Sequence, residues 1–249
     1  VNFVIDNNSR ISLSNNDAGG TGGQNSTTGN TIFGYKAGNA ISSADVNNTL
    51  IGHNAGLVIN AGEANSIIGT NAGDALTSGD LNTAFGYFAL STSTDVDRVV
   101  AIGAGAMESG DATAAADGTV AIGSSALTAL TSGDGNVAMG YQSATAMTTG
   151  ARNVIIGYQA GDAMTKTTRS VAIGYGALGA EDVGDRSIAI GFNALASQNS
   201  DSDNETTGNV GIGVESGFYN VTGTNNTYLG YNSGKGASEQ SNSANTGVG

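Results

Sequence analysis

Few residues in this 249-residue chain are able to ligate a metal or move a proton. Asp201-Ser202-Asp203-Asn204-Glu205 sets side-chain oxygens at alternate positions, which makes Asp201, Asp203 and Glu205 candidate ligands for Ca²⁺, a cation that takes six to eight oxygens. The central Gly and terminal Glu of an EF-hand loop are missing, so a solvated loop is the expectation there. Two further inserts carry acids: Met107 to Gly118 with Glu108, Asp111 and Asp117, and a turn with Glu181, Asp182 and Asp185. Asp45, Glu63, Asp74, Asp80, Asp134 and Asp162 recur singly, which points to solvated turns. Glycan hydrolysis needs two carboxylates about 5–10 Å apart in a groove, and singly recurring acids do not supply such a pair. His53 is the one histidine, which excludes multi-His metal sites and leaves a catalytic triad one candidate base. With no Cys there is no disulfide, thiolate site or thiol nucleophile. The expectation is no enzyme, no cofactor and no bound metal.

Charge narrows the partners. Eight Lys and Arg stand against 21 Asp and Glu, a formal net charge of −13, so nucleic acid is not an expected partner. No run approaches the ~18 apolar residues of a membrane-spanning helix, so membrane insertion is not expected either. Gly reaches 40 residues and Pro is absent. Disorder is not the reading, because the apolar residues are periodic.

The elements that would position any site follow from that period. Asn, then Thr, Ser or Val, then a small or apolar residue, then a large apolar residue, then Gly recurs along the chain, as in Asn30-Thr31-Ile32-Phe33-Gly34, Asn82-Thr83-Ala84-Phe85-Gly86 and Asn153-Val154-Ile155-Ile156-Gly157. The closing glycines are Gly34, Gly52, Gly69, Gly86, Gly103, Gly123, Gly140, Gly157, Gly174, Gly191, Gly213, Gly230 and Gly249, and eight of the twelve steps are 17 residues. A second half-motif follows each Gly, often Tyr, any residue, Ala or Ser, then Gly or Leu, as in Tyr158-Gln159-Ala160-Gly161. Seventeen Gly-rich residues cannot hold two helices and two turns. Short strands with polar turns fit, one unit per coil of a parallel β-solenoid. About thirteen coils at ~4.8 Å make a rod of roughly 60 Å. Missing Pro agrees, since each strand N–H is needed for the next coil. Residues 30–249 form the repeat domain, and residues 1–29 a leading segment with short strands near Val1–Ile5 and Ile11–Leu13 and a Gly/Ser/Thr linker.

Numbering from the closing Gly as zero, position −1 is always large and apolar: Phe33, Ile68, Phe85, Ile156, Ile173, Ile190 and their equivalents. We expect this column to be the buried spine, with the Thr, Ser, Val or Ile at −3 on the same face. Position −2 lies on the opposite face and is also small or apolar, which points to packing of that second face against sister chains. The Asn column (Asn30, Asn82, Asn153 and equivalents) is expected to turn the chain and ladder its amides from coil to coil. Tyr at +1 (Tyr35, Tyr87, Tyr141, Tyr158, Tyr175, Tyr231) is either a sugar-stacking surface or structural packing with the hydroxyl at the rim. His53 replaces Tyr in that column.

Ser170-Val171-Ala172-Ile173-Gly174, Ser187-Ile188-Ala189-Ile190-Gly191 and Thr119-Val120-Ala121-Ile122-Gly123 resemble the head repeats of trimeric autotransporter adhesins. Similar repeats occur in phage tail fibres, and the Asp6 to Asp17 segment looks most like fibre proteins of marine phages. The resemblance covers residues 30–249 and implies a left-handed, homotrimeric parallel β-roll. It departs in its longer coil and in showing neither stalk nor membrane anchor. The expectation that follows is a phage tail-fibre segment, virion-borne and carrying recognition of a host-surface glycan or protein. The alternatives are the head of a bacterial trimeric surface adhesin on the cell exterior, and a single-chain surface-binding solenoid such as an ice binder. For ice, the Thr residues at −3 are expected to be buried with the spine, which weighs against it. The ends, Val1 without Met and Gly249 on the motif Gly, read as cut from a longer fibre.

Overall fold

The computed structural model describes Val4–Ile5, Ile11–Ser12 and residues 29–249 apart from 201, 204 and 238–240. In the leading segment β1 (Val4–Ile5) pairs antiparallel with β2 (Ile11–Ser12). The expected linker from Ala18 lies outside the described residues up to Gly29. Thirteen three-residue strands follow, from β3 (Thr31–Phe33) to β15 (Thr246–Val248), one before each closing Gly. They form one parallel sheet in strict chain order. Register is one repeat per strand: β10 (Val154–Ile156) sets Ile155 beside Ala138 on one side and Ala172 on the other. The chain is therefore an all-β parallel solenoid of about thirteen coils, and among the described residues its one helical element is a 3₁₀ turn at Ala114–Ala116.

Hydrogen bonding between coils continues beyond the strands. Gln142 N–H reaches Ser124 O, Gln159 N–H reaches Tyr141 O, and Thr148 N–H reaches Thr165 O, at 2.9–3.0 Å. This is where a proline would leave a carbonyl of the neighbouring coil unpaired.

The inside and the outside of the sheet are the reverse of the sequence expectation. Position −2 points inward: Leu50, Ile67, Ala84, Ala101, Ala121, Ala138, Ile155, Ala172 and Ala189 are fully buried. Position −1 points out, with Phe33 59% and Phe85 55% exposed, and Ile156, Ile173 and Ile190 partly so. The column taken for a spine is thus a surface, and the −3 column lies on it.

Packing explains which side won. A coil of 17 residues encloses a narrow interior, and two positions share it: −2 and +4. Where −2 is Ile32, Leu50, Ile67 or Ile155, position +4 is Gly38, Gly56, Gly73 or Gly161. Where −2 is Ala84, Ala101, Ala121, Ala172 or Ala189, position +4 is Leu90, Met107, Leu127, Leu178 or Leu195. A Cβ on Gly73 would lie 2.8 Å from the Ile67 side chain, and one on Gly56 would lie 2.8 Å from the Leu50 side chain. No coil holds two large residues at this level, and the coils with Ala138 and Ala144 or Gly211 and Gly217 hold none. Ile67→Ala is accordingly expected to cost about 2–5 kcal/mol. Adding Gly73→Leu should return most of it, since the three nearest contacts of a Cβ there are all with Ile67 and Leu90, Leu127, Leu178 and Leu195 already hold the same left-handed backbone (φ 48° to 57°). Urea midpoints of the two single variants and the double variant check this; additive losses would contradict it.

Candidate functional site

The acids of the three inserts are spread among different partners. Lys166 Nζ donates to Asp203 Oδ2, and the Glu205 carbonyl accepts Asp185 N–H. Asp201 lies outside the described residues. Among the described residues no three Asp, Glu or His side chains converge. His53 stacks on Tyr35 at 5.4 Å, as a substitution within the aromatic column.

Several acids expected in solvated turns are part of the scaffold instead. Asp80, Asp97 and Asp117 each accept a backbone N–H from the preceding coil (Glu63, Asp80 and Asp97, at 2.7–2.8 Å). Asp45 is buried, its Oδ2 accepting from Ser42 N–H and hydroxyl. Asp74 and Asp162 sit at equivalent positions on the coil's far side. Partial burial raises both carboxyls above the usual aspartate range, against the pull of their own and the next backbone N–H.

The asparagine column forms a ladder. Asn65 Oδ1 accepts both the backbone N–H and the Nδ2–H of Asn82, at 2.9 and 3.0 Å, while Asn65 Nδ2 donates to Gly79 O at 2.8 Å. Asn30, Asn82 and Asn153 belong to this buried series. Each carboxamide satisfies groups that a closed coil turns away from water.

The ladder lapses where Ser170 and Ser187 replace Asn, and sequence reasoning missed what fills the gap. Glu181 and Gln198 occupy an interior column held elsewhere by Ile59, Leu76, Leu130, Met147 and Met164. The Glu181 carboxylate, fully buried, takes five donors: Val183 N–H (3.2 Å), Gly184 N–H (2.7 Å), Ser200 N–H (3.3 Å), Ser200 Oγ–H (3.1 Å) and Gln198 Nε2–H (2.6 Å). Gln198 Nε2 also reaches Ser187 Oγ, and its Oε1 accepts from Asn209 Nδ2, rejoining the ladder. With five donors of its own chain converging on it, the carboxylate is a structural anchor. Glu181→Gln turns an amide donor on that ring of donors, and a loss of about 2–4 kcal/mol is expected in chemical denaturation. A midpoint unchanged from the parent would contradict this reading.

What remains is surface. The outward sheet face carries a large apolar residue at −1 in every coil, Phe33, Phe85, Met139, Leu229 and Val248 the most exposed of them. Its −3 column runs Thr31, Thr49, Ser66 and Thr83, then Val100, Val120, Val137, Val154, Val171, Ile188 and Val210, then Thr227 and Thr246. Taking thirteen strands at ~4.8 Å and about 10 Å per strand, the stripe covers roughly 600 Å². At one edge Tyr141, Tyr158, Tyr175 and Phe192 stack with centroids 5.3, 5.5 and 5.2 Å apart. Within this run the ring faces cover one another, while Tyr87 and Tyr231 of the same column stand outside it, 58% and 71% exposed. No family model, curated protein or solved structure matches the chain.

Proposed function

We propose that the chain is a structural and adhesive segment of an extracellular fibre, in which three copies pack their outward sheet faces around a common axis. The observation that supports this is the long apolar stripe. Isolated soluble proteins rarely expose a contiguous patch beyond a few hundred Å². A face that also repeats at every coil buries itself best against copies of the same pitch. The work of such a rod is mechanical: coil-to-coil ladders and a shared interior carry a recognition region to a host surface. A phage tail fibre is the favoured owner and a bacterial surface adhesin the alternative. Host glycans or proteins would meet the irregular turns, above all the insert at 193–208, which breaks the repeat. Replacing that insert by a regular turn should then reduce attachment while leaving assembly intact; undiminished attachment would remove the insert from the proposal.

Light scattering tests the assembly. Three chains of 24.5 kDa predict about 73 kDa. A mass of one chain would overturn the proposal. It would favour the ice-binding reading instead, because the Thr residues at −3 face outward. Against that reading, Phe33, Ile51, Ile68 and Phe85 stand beside those threonines and prevent a flat hydroxyl array.

A further inference from the structure

The aromatic column at +1 has gaps. Where rings occupy successive coils they stack, Tyr35 on His53 at 5.4 Å and Tyr158 on Tyr175 at 5.5 Å. The gaps differ from one another. Ala104 and Ser124 leave two successive coils without a ring, and Val214 fills its place between Phe192 and Tyr231 with a branched apolar side chain. Thr70 alone sets a single small polar residue between two ring-bearing coils, those of His53 and Tyr87. The backbone fixes the width of that gap. Asn71 N–H donates to His53 O at 2.9 Å and Phe88 N–H to Thr70 O at 3.0 Å, so the three coils are laddered without a break. Two coil spacings put the His53 and Tyr87 positions about 10 Å apart. A flat ring midway lies about 5 Å from each, the distance at which the column stacks its own rings.

Both walls and the floor are accessible: His53, Thr70 and Tyr87 are exposed. Tyr35 takes one face of His53 and leaves the other turned to the gap. Against Tyr87 stands Phe88, perpendicular at 4.4 Å, which covers at most one of its faces. Phe88 is the one large apolar residue in the +2 column, at a left-handed φ of 55° where other coils use polar residues or Gly, and it braces Tyr87. The floor is polar. Thr70 Oγ1 makes no hydrogen bond among the described residues. Asn71 Oδ1 accepts Asn54 Nδ2–H at 2.9 Å, and the amide ladder stops there because Phe88 comes next. That leaves Asn71 Nδ2 without an acceptor among the described residues.

We infer that the gap at Thr70 is a subsite for one neutral pyranose, held between His53 and Tyr87 with Thr70 and Asn71 beneath it. A pyranose offers C–H faces to both rings and hydroxyls to the unspent hydroxyl and amide. A purely aromatic ring would use the walls and leave the floor unpaired. Charge selects among sugars. No Lys or Arg stands between residues 36 and 98, and Lys36 Nζ lies over the Tyr35 ring at 5.5 Å, one coil beyond His53. An acidic sugar therefore meets no cation in the gap, and it meets a chain of net charge −13. The subsite goes beyond the fibre reading, because one chain builds it on regular coils, away from the insert at 193–208.

Saturation-transfer NMR of the whole chain tests the subsite, with the methyl glycosides of glucose, galactose, mannose and N-acetylglucosamine as probes and a methyl sialoside as the acidic comparison. At least one neutral glycoside should receive saturation, and the sialoside none. Thr70→Tyr closes the gap with a ring, stacked as Tyr141 is on Tyr158, so it should abolish the transfer and melt no lower than the parent. Tyr87→Ala removes one wall and should weaken the affinity about fivefold or more. Transfer to none of the four neutral glycosides, or transfer undiminished in either variant, overturns the subsite. Equal or stronger transfer to the sialoside overturns the choice of a neutral sugar. Light scattering keeps the two readings apart: a monomer that binds through this gap loses the fibre and keeps the subsite, and a trimer that binds none of the probes loses only the subsite.

Discussion

Gly140→Ala is expected to cost about 4 kcal/mol or more, against about 1 kcal/mol for Gly118→Ala, although both residues have positive φ. Gly140 closes the motif at φ 136°, in a region open essentially to glycine alone. A Cβ built there lies 2.4 Å from Gly157 O and 2.6 Å from Gly157 C, both backbone atoms of the next coil. That coil cannot step aside, because its Ile156, just before Gly157, is paired with Met139 on one side and Ile173 on the other. Strain and overpacking therefore add. Gly118 has φ 70°, in the ordinary left-handed region, and nothing lies within 4 Å of its added Cβ. Ala64 and Ala244 already occupy its column. Thermal or urea unfolding of the two variants checks the contrast. Equal losses would mean that neither the glycine-only backbone of Gly140 nor the stacking of glycine on glycine sets the cost.

That stacking is why so much of the fold is legible from spacing. A residue type that recurs every 17 positions because the next coil's backbone lies against it reads as a period before any strand is assigned. The asparagine ladder is legible for the same reason. The sense of the sheet is harder. A three-residue strand has one side chain on one face and two on the other, and here both faces are apolar, so alternation carries no sign of inside or outside. Choosing the larger column as the core, Phe33 and Ile156 over Ile32 and Ile155, follows a rule for surfaces that face water. It fails where the outward face is apolar too. The sign was nevertheless in the chain, six residues away: Ile67 with Gly73, Ala84 with Leu90. Only residues that share one interior compensate in size this way. Glu181 left a comparable trace, as an acid entering an apolar column in the coils where Ser170 and Ser187 displace Asn. Reading the acidic turns as merely solvated missed that Asp80 and Asp97 supply acceptors for the neighbouring coil, which a count of charges does not reveal.

Ile156→Lys/Ile173→Lys is expected to abolish assembly while the single chain keeps its fold. Both isoleucines stand at −1 on the outward face, so the lysines emerge into solvent in an isolated chain, where such changes stay within about 0.5 kcal/mol. In a trimer six buried isoleucines would be replaced. At ~1.5–3 kcal/mol for each buried side chain, roughly 10 kcal/mol or more of association is lost, before like-charge repulsion near the axis is counted. Light scattering should report about one chain mass at concentrations where the parent is trimeric, with circular dichroism and melting of the single chain unchanged. Ala172→Lys, one residue before Ile173 and fully buried, is the control in the other direction. It places an ammonium inside the coil beside Leu178 and should unfold the region whatever the assembly state. If instead the double lysine variant unfolds and Ala172→Lys only dissociates the fibre, the sheet faces inward along its large residues. If both leave the mass unchanged, the apolar stripe is not what holds the copies together.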